Sequence, residues 1–160
     1  MNQATPPQTA PLGPAYRMTL TVGAHSARPL RHILRLHLKA WQLEGLADAA
    51  ELALTELVSN VVRHAPGAHC TIRLLRREHG VRVEVADDCP RLPRPAPAYD
   101  ELTESNRGLL LVGSVTDRWG TDPDPGGRGK TVWFECYAQG RRSLTTAAPN
   151  PEDAATPPAP

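Results

Sequence analysis

The 160-residue chain carries 18 basic and 17 acidic residues, a net charge of +1, with the signs interspersed. That balance argues against bulk nucleic-acid or membrane-surface binding, and no apolar run approaches the ~18 residues that a membrane span needs. Cys70, Cys89 and Cys136 have no paired spacing, which fits free thiols in a reducing cytoplasm better than disulfides or a zinc site.

The length suits one domain. Residues 1–14 hold four prolines and no charge, and residues 141–160 are again proline-rich. Such segments bury too little surface to offset the entropy of ordering, so both are expected to be disordered tails. No charged start followed by an apolar stretch opens the chain, so no secretory signal is expected. The folded domain is expected over residues 15–140.

Tyr16 to Val22 alternates and predicts a strand. Ser26 is placed to cap a helix that tolerates Pro29 near its start and runs to about Trp41. Leu30, Ile33, Leu34, Leu38 and Trp41 would face inward, and Arg28, Arg31, Arg35 and Lys39 largely outward. A second helix is predicted from about Leu46 to His64, stopped by Pro66-Gly67. Cys70 to Leu75 and Val81 to Ala86 predict strands around a turn near His79-Gly80. The segment from Asp87 to Asn106 holds Pro90, Pro93, Pro95 and Pro97 and predicts no regular structure. A short helix is expected over Gly108 to Val115. Arg118 to Thr121 and Thr131 to Tyr137 predict a closing hairpin. Strand and helix do not alternate, which argues against a doubly wound parallel sheet. An α+β chain is expected instead, with one sheet covered by helices on one face.

Four groups carry chemistry. Glu56, Asn60 and His64 follow at i, i+4 and i+8 on the second helix. They form a polar stripe that drifts about 40° per step beside an apolar one. Burying a carboxylate or an amide without a partner is costly, so the stripe suggests the wall of a site. Asp87-Asp88 ends the strand Val81 to Ala86. Arg107-Gly108-Leu109 lies where a long loop meets a helix. Gly126-Gly127-Arg128-Gly129-Lys130-Thr131 is a glycine-rich turn entering a strand. It is not a P-loop: that motif needs glycine where Asp124 stands, and it opens a helix rather than a strand.

In this order the groups resemble the GHKL ATPases (gyrase, the heat-shock chaperone ATPase, histidine kinases and MutL). The likeness is closest to the bacterial anti-sigma-factor serine/threonine kinases. The asparagine box of that family is similar to Thr55-Glu56-Leu57-Val58-Ser59-Asn60-Val61-Val62-Arg63-His64-Ala65. Its aspartate box resembles Val83-Glu84-Val85-Ala86-Asp87-Asp88-Cys89-Pro90. Its later boxes resemble Arg107 to Val112 and Gly127 to Phe134. The likeness covers about residues 20–137. Many relatives have glycine two residues after the aspartate, where Cys89 stands here, and some have a second glycine near Gly108.

The resemblance implies a Bergerat-type two-layer α/β sandwich with a mixed, mostly antiparallel sheet. It implies ATP and Mg²⁺ as cofactors, and ATP-dependent phosphotransfer by a protein serine/threonine kinase. Asn60 would hold Mg²⁺ and Glu56 would act as the catalytic base. Asp87 would accept a hydrogen bond from the adenine amino group. Gly108, followed by Leu109, would let backbone N–H groups reach phosphate at a helix start, and Gly129 belongs to the last box. Arg107, Lys130 and Thr131 would add charge and a hydroxyl near phosphate, and Arg63 and His64 would contact the phosphate side or the loop. The implied partners are a sigma factor, an antagonist protein, or both, for a transcription regulator in the cytoplasm. Relatives often form homodimers through the first strand and helix.

The chain contains no phosphoacceptor-histidine or sensor segment, which argues against a complete sensor kinase. A nucleotide-gated binding switch without transfer activity stays open beside the kinase. DNA binding through the arginines of the first helix is opposed by the near-neutral charge.

The loop from Pro90 to Asn106 is long and proline-rich, as functional loops often are, and is expected to close over a triphosphate. Trypsin should therefore cut at Arg91 and Arg107 in the apo protein. Mg-ATP should slow these cuts more than cuts in the tails, and ADP should protect less. Equal loop cleavage with and without saturating ATP would identify a plain linker.

Overall fold

The computed structural model of the chain describes residues 15–92 and 104–138. Both expected tails, and most of the expected lid at residues 93–103, lie outside the described residues. The elements run in the expected order. Strand β1 (Tyr16–Thr21) leads to helix α1 (Ala27–Ala40). A single 3₁₀ turn (Glu44–Leu46) precedes helix α2 (Ala47–His64). The hairpin β2 (His69–Arg77) and β3 (Gly80–Asp87) follows, then helix α3 (Glu104–Val115) and the hairpin β4 (Arg118–Pro123) and β5 (Lys130–Tyr137). The five strands lie in the order β1-β2-β3-β5-β4. The sheet, expected to be mixed and mostly antiparallel, is antiparallel at all four pairings.

Side-chain alternation divides the sheet into two faces. Ile72 and Leu74 of β2, Val81, Val83 and Val85 of β3, and Val132, Phe134 and Cys136 of β5 are buried in one core with the helices. From α1 that core takes Leu30, Leu34 and Leu38, and from α2 it takes Ala50, Ala53, Leu54, Leu57, Val58 and Val61. This gives two layers, helices on one face of a sheet. Truncating Phe134, which is fully buried, to alanine would cost about 3–5 kcal/mol.

The other face carries charge. Arg82 bonds to Glu84 at 2.8 Å and to Glu135 at 3.2 Å, and its guanidinium lies 3.9 Å over the Trp133 ring. No helix among the described residues is long and apolar enough to cross a membrane.

Three local expectations change. Ser26 does not cap α1 with its side chain: its backbone is already helical, and its hydroxyl accepts from the Gly23 N–H at 2.9 Å. The basic residues of α1, expected largely outward, are exposed at Arg28, Arg35 and Lys39, but Arg31 is half-buried. Arg35 is ion-paired with Glu51 of α2, and Arg31 donates to the Thr55 hydroxyl at 3.3 Å. Helix α3 starts at Glu104, four residues before the expected Gly108. Arg107 is therefore a helical residue, and trypsin should cut there less readily than at Arg91.

All three cysteines are buried and free. Burial, with Asp87 adding to it, pushes the Cys70 thiol from 9.0 up to about 11. Burial and then Asp117 push Cys136 up to about 12. These are groups raised in the folded state, so their contribution to stability is full below pH 9 and is lost as pH rises towards the folded values. In reducing buffer the urea midpoint should hold steady from pH 7 to 8.5 and then fall through pH 9 to 11. A Cys136→Ala variant should show a shallower fall. A midpoint that stays flat to pH 11 would mean that these thiols ionise at no cost to the fold.

Candidate functional site

Beneath α2 and α3 the described residues enclose a cavity of about 720 Å³, within the size range of small-molecule sites. Helix α2 supplies Leu57, Asn60, Val61 and His64 to its wall, and Pro66 follows at the helix end. Strands β3 and β5 supply Val85, Asp87, Lys130 and Val132, and α3 supplies Leu109. Cys89 to Leu92 form part of its rim.

At the sheet end of the cavity, Asp87 closes the inward row Val81, Val83, Val85. Lys130 opens the inward row Val132, Phe134, Cys136. The antiparallel register sets Asp87 opposite Lys130, so both side chains reach the same face. The Lys130 ammonium donates to Asp87 Oδ1 at 2.9 Å, to Oδ2 at 3.1 Å and to the Cys89 carbonyl at 3.1 Å. The Cys89 N–H donates to Asp87 Oδ1 at 2.8 Å. The pair is buried, with side-chain exposures of 8% for Lys130 and 5% for Asp87.

Gly129 is what lets the strands meet there. A Cβ at this position would lie 2.1 Å from the Asp87 carbonyl oxygen, a clash with backbone that no rotamer relieves.

On the helix wall, Asn60 Oδ1 is buried with no hydrogen-bond partner. Buried polar atoms in native proteins are nearly always paired, so an orphan of this kind asks for a ligand. One turn earlier, Glu56 is half-buried and points elsewhere. Its Oε2 lies 2.6 Å from where a Cβ of Gly108 would sit. The glycine lets α3 close on the Glu56 carboxylate.

The structure thus brings Asn60, His64, Asp87, Leu109 and Lys130 to one cavity. It does not bring the other expected residues there. Glu56 lies in the α2–α3 seam. Arg63 and Arg107 are exposed and do not line the cavity. Gly108 lies in the second turn of α3 rather than at a helix start, so its N–H falls within the helix ladder instead of facing phosphate. Gly129 is taken up by strand packing. Thr131 follows Lys130 by one residue and therefore faces the opposite side of the sheet, beside Thr71 and Ala86. Lys130 itself, expected near phosphate, holds the Asp87 carboxylate.

The sequence reading also missed the apolar walls, Leu57, Val61, Val85 and Val132, as site residues. Their periodicity marked them as core, and a core row that runs into an acid is the signal that could have found them.

Residues 21–136 match the histidine kinase-like ATPase domain family. The chain is also 35% identical over 103 residues to an uncharacterized protein of Streptomyces coelicolor, covering 60% of this chain and 94% of that protein.

The Gly108–Glu56 contact is testable by stability. Alanine in a helix interior is favoured over glycine by about 0.5–1 kcal/mol. In a Glu56→Ala background, Gly108→Ala should stabilise the protein by that amount in urea unfolding. In the wild-type background the displaced carboxylate should offset the gain, leaving stability unchanged or lower. Equal gains in both backgrounds would show that the two residues do not touch.

Proposed function

We infer that this chain, which belongs to the histidine kinase-like ATPase family, binds ATP in the cavity beneath α2 and α3 and uses it as a regulatory protein serine/threonine kinase of the anti-sigma type. The observation that carries the reading is the orphaned Asn60 Oδ1 in the same cavity as Asp87. A hard cation suits an amide oxygen, and leaving that oxygen unpaired costs about 1–3 kcal/mol. Asn60 would hold Mg²⁺, which when bound neutralises charge on the phosphates.

The remaining roles belong to the chain's own residues. Leu57, Val61, Val85 and Val132 give the purine apolar walls and exclude water. Asp87 accepts the exocyclic amine of the base. Glu56 has no hydrogen-bond partner among the described residues and can take a proton. In the transfer step the substrate serine oxygen bonds to the γ-phosphorus, the bond to the β–γ bridging oxygen breaks, ADP leaves, and the serine proton passes to Glu56. The protein substrate would be an antagonist of a sigma factor, with the sigma factor as a second partner. Homodimerisation through β1 and α1 belongs to the same proposal, since β1 is an edge strand.

A second reading, the nucleotide-gated switch, is favoured by the position of Glu56. An acid packed against Gly108 of α3 is placed to sense the position of that helix rather than to meet a hydroxyl.

Radiolabelled phosphotransfer to candidate antagonists separates the two. Under the kinase reading Glu56→Gln keeps nucleotide binding and loses roughly 10²–10⁴-fold in transfer rate, as for a lost general base. Asn60→Ala weakens binding only in the presence of Mg²⁺. Normal transfer by Glu56→Gln would make the carboxylate structural. Wild-type protein that binds ATP but transfers phosphate to no antagonist would favour the switch.

A further inference from the structure

We propose that Lys130 sets the base selectivity of the cavity by limiting the acceptors that Asp87 can offer; this rests on the ATP-binding reading above. A carboxylate has about four lone-pair positions. On Asp87, Oδ1 already takes the Cys89 N–H at 2.8 Å and the Lys130 ammonium at 2.9 Å. Oδ2 takes the ammonium at 3.1 Å. One position on Oδ2 is left.

The ammonium is committed as well. It has three donors and three acceptors around it, the two carboxylate oxygens and the Cys89 carbonyl at 3.1 Å. Neither partner has room to withdraw. Gly129 already runs against the Asp87 carbonyl, where even a Cβ would clash, and the side chains are only 8% and 5% exposed.

A base that meets the Asp87–Lys130 pair therefore finds one free acceptor on it and no free donor. The edge of a 6-aminopurine needs one acceptor, for its amine, which fits, and its neighbouring ring nitrogen is an acceptor that the pair leaves unmet. A 2-amino-6-oxopurine likewise has a carbonyl that the pair leaves unmet. It also offers two adjacent N–H groups that need two acceptors. Asp87 by itself could satisfy both groups with its two oxygens, so Asp87 paired with Lys130 is selective where Asp87 alone is not. Lys130 is in this sense a positioning residue: it acts on the base through the carboxylate.

The test is displacement of a fluorescent ATP analogue from the full chain by ATP and by GTP, for wild type, Lys130→Met and Lys130→Gln. Wild type should prefer ATP. Lys130→Met should lower the ratio of the GTP Kd to the ATP Kd by roughly tenfold or more, the effect of one unsatisfied polar group. Lys130→Gln keeps an uncharged amide with two N–H donors, should show a smaller fall in the ratio, and serves if circular dichroism shows that Lys130→Met does not fold. An unchanged ratio in a folded variant, even with both nucleotides weakened, would overturn the proposal and make Lys130 purely structural. So would a wild type that binds ATP and GTP equally, and ATP binding itself would then stand. A wild type that binds neither nucleotide would remove the ATP-binding reading, and this proposal with it.

Discussion

The buried ion pair between Asp87 and Lys130 is the constraint on which the site depends. The two side chains are only 8% and 5% exposed, so each charge relies chiefly on the other. Removing one partner of such a pair typically costs about 3–5 kcal/mol, because the other charge stays behind uncompensated. The pair ties the last residue of β3 to the first residue of β5 and so fixes how the two central strands end. It requires glycine at position 129, where β5 passes against the Asp87 carbonyl. It also decides what the cavity presents to a ligand. A lone aspartate would offer several acceptors, whereas this one offers a single position.

The helix opposite works by contrast. Glu56, Asn60 and His64 share one stripe of α2, yet the drift of the stripe around the helix gives them different surroundings. Asn60 and His64 reach the cavity, and Glu56 meets α3 through Gly108. In the proposed reading the base and the ligand for a cation would thus stand one turn apart on a rigid element, which is what positioning them requires. The same contact couples Glu56 to α3. Whether the carboxylate serves transfer or senses α3 is the difference between the kinase and the switch.

Much of this was legible in the sequence. The periodicity of Leu54, Leu57, Val58 and Val61 placed α2, and alternation in Val81 to Ala86 placed β3, because apolar spacing encodes a face directly. The polar stripe and Asp87 were visible as charges at the edge of apolar rows. The start of α3 was not, since the residues before Gly108 carry no apolar period. The role of Lys130 was hidden for a different reason. Its meeting with Asp87 depends on strand register across an intervening 42 residues, which local pattern does not encode, and the glycines around it suggested phosphate instead. Thr131 was misplaced by the same cause, since a shift of one residue along a strand changes its face.

The central claim is that Asp87 and Asn60 together make a Mg-ATP cavity. A thermal-shift titration of the full chain and of Asp87→Asn, with ATP, ADP and GTP and with or without Mg²⁺, tests it most directly. A ligand that binds only the folded state raises stability by mass action, so the melting temperature should climb with ATP concentration beyond Kd. The account predicts the largest rise for wild type with ATP and Mg²⁺, less without Mg²⁺, and none for Asp87→Asn. No rise with any nucleotide at millimolar concentration, or an equal rise for wild type and Asp87→Asn, would contradict it.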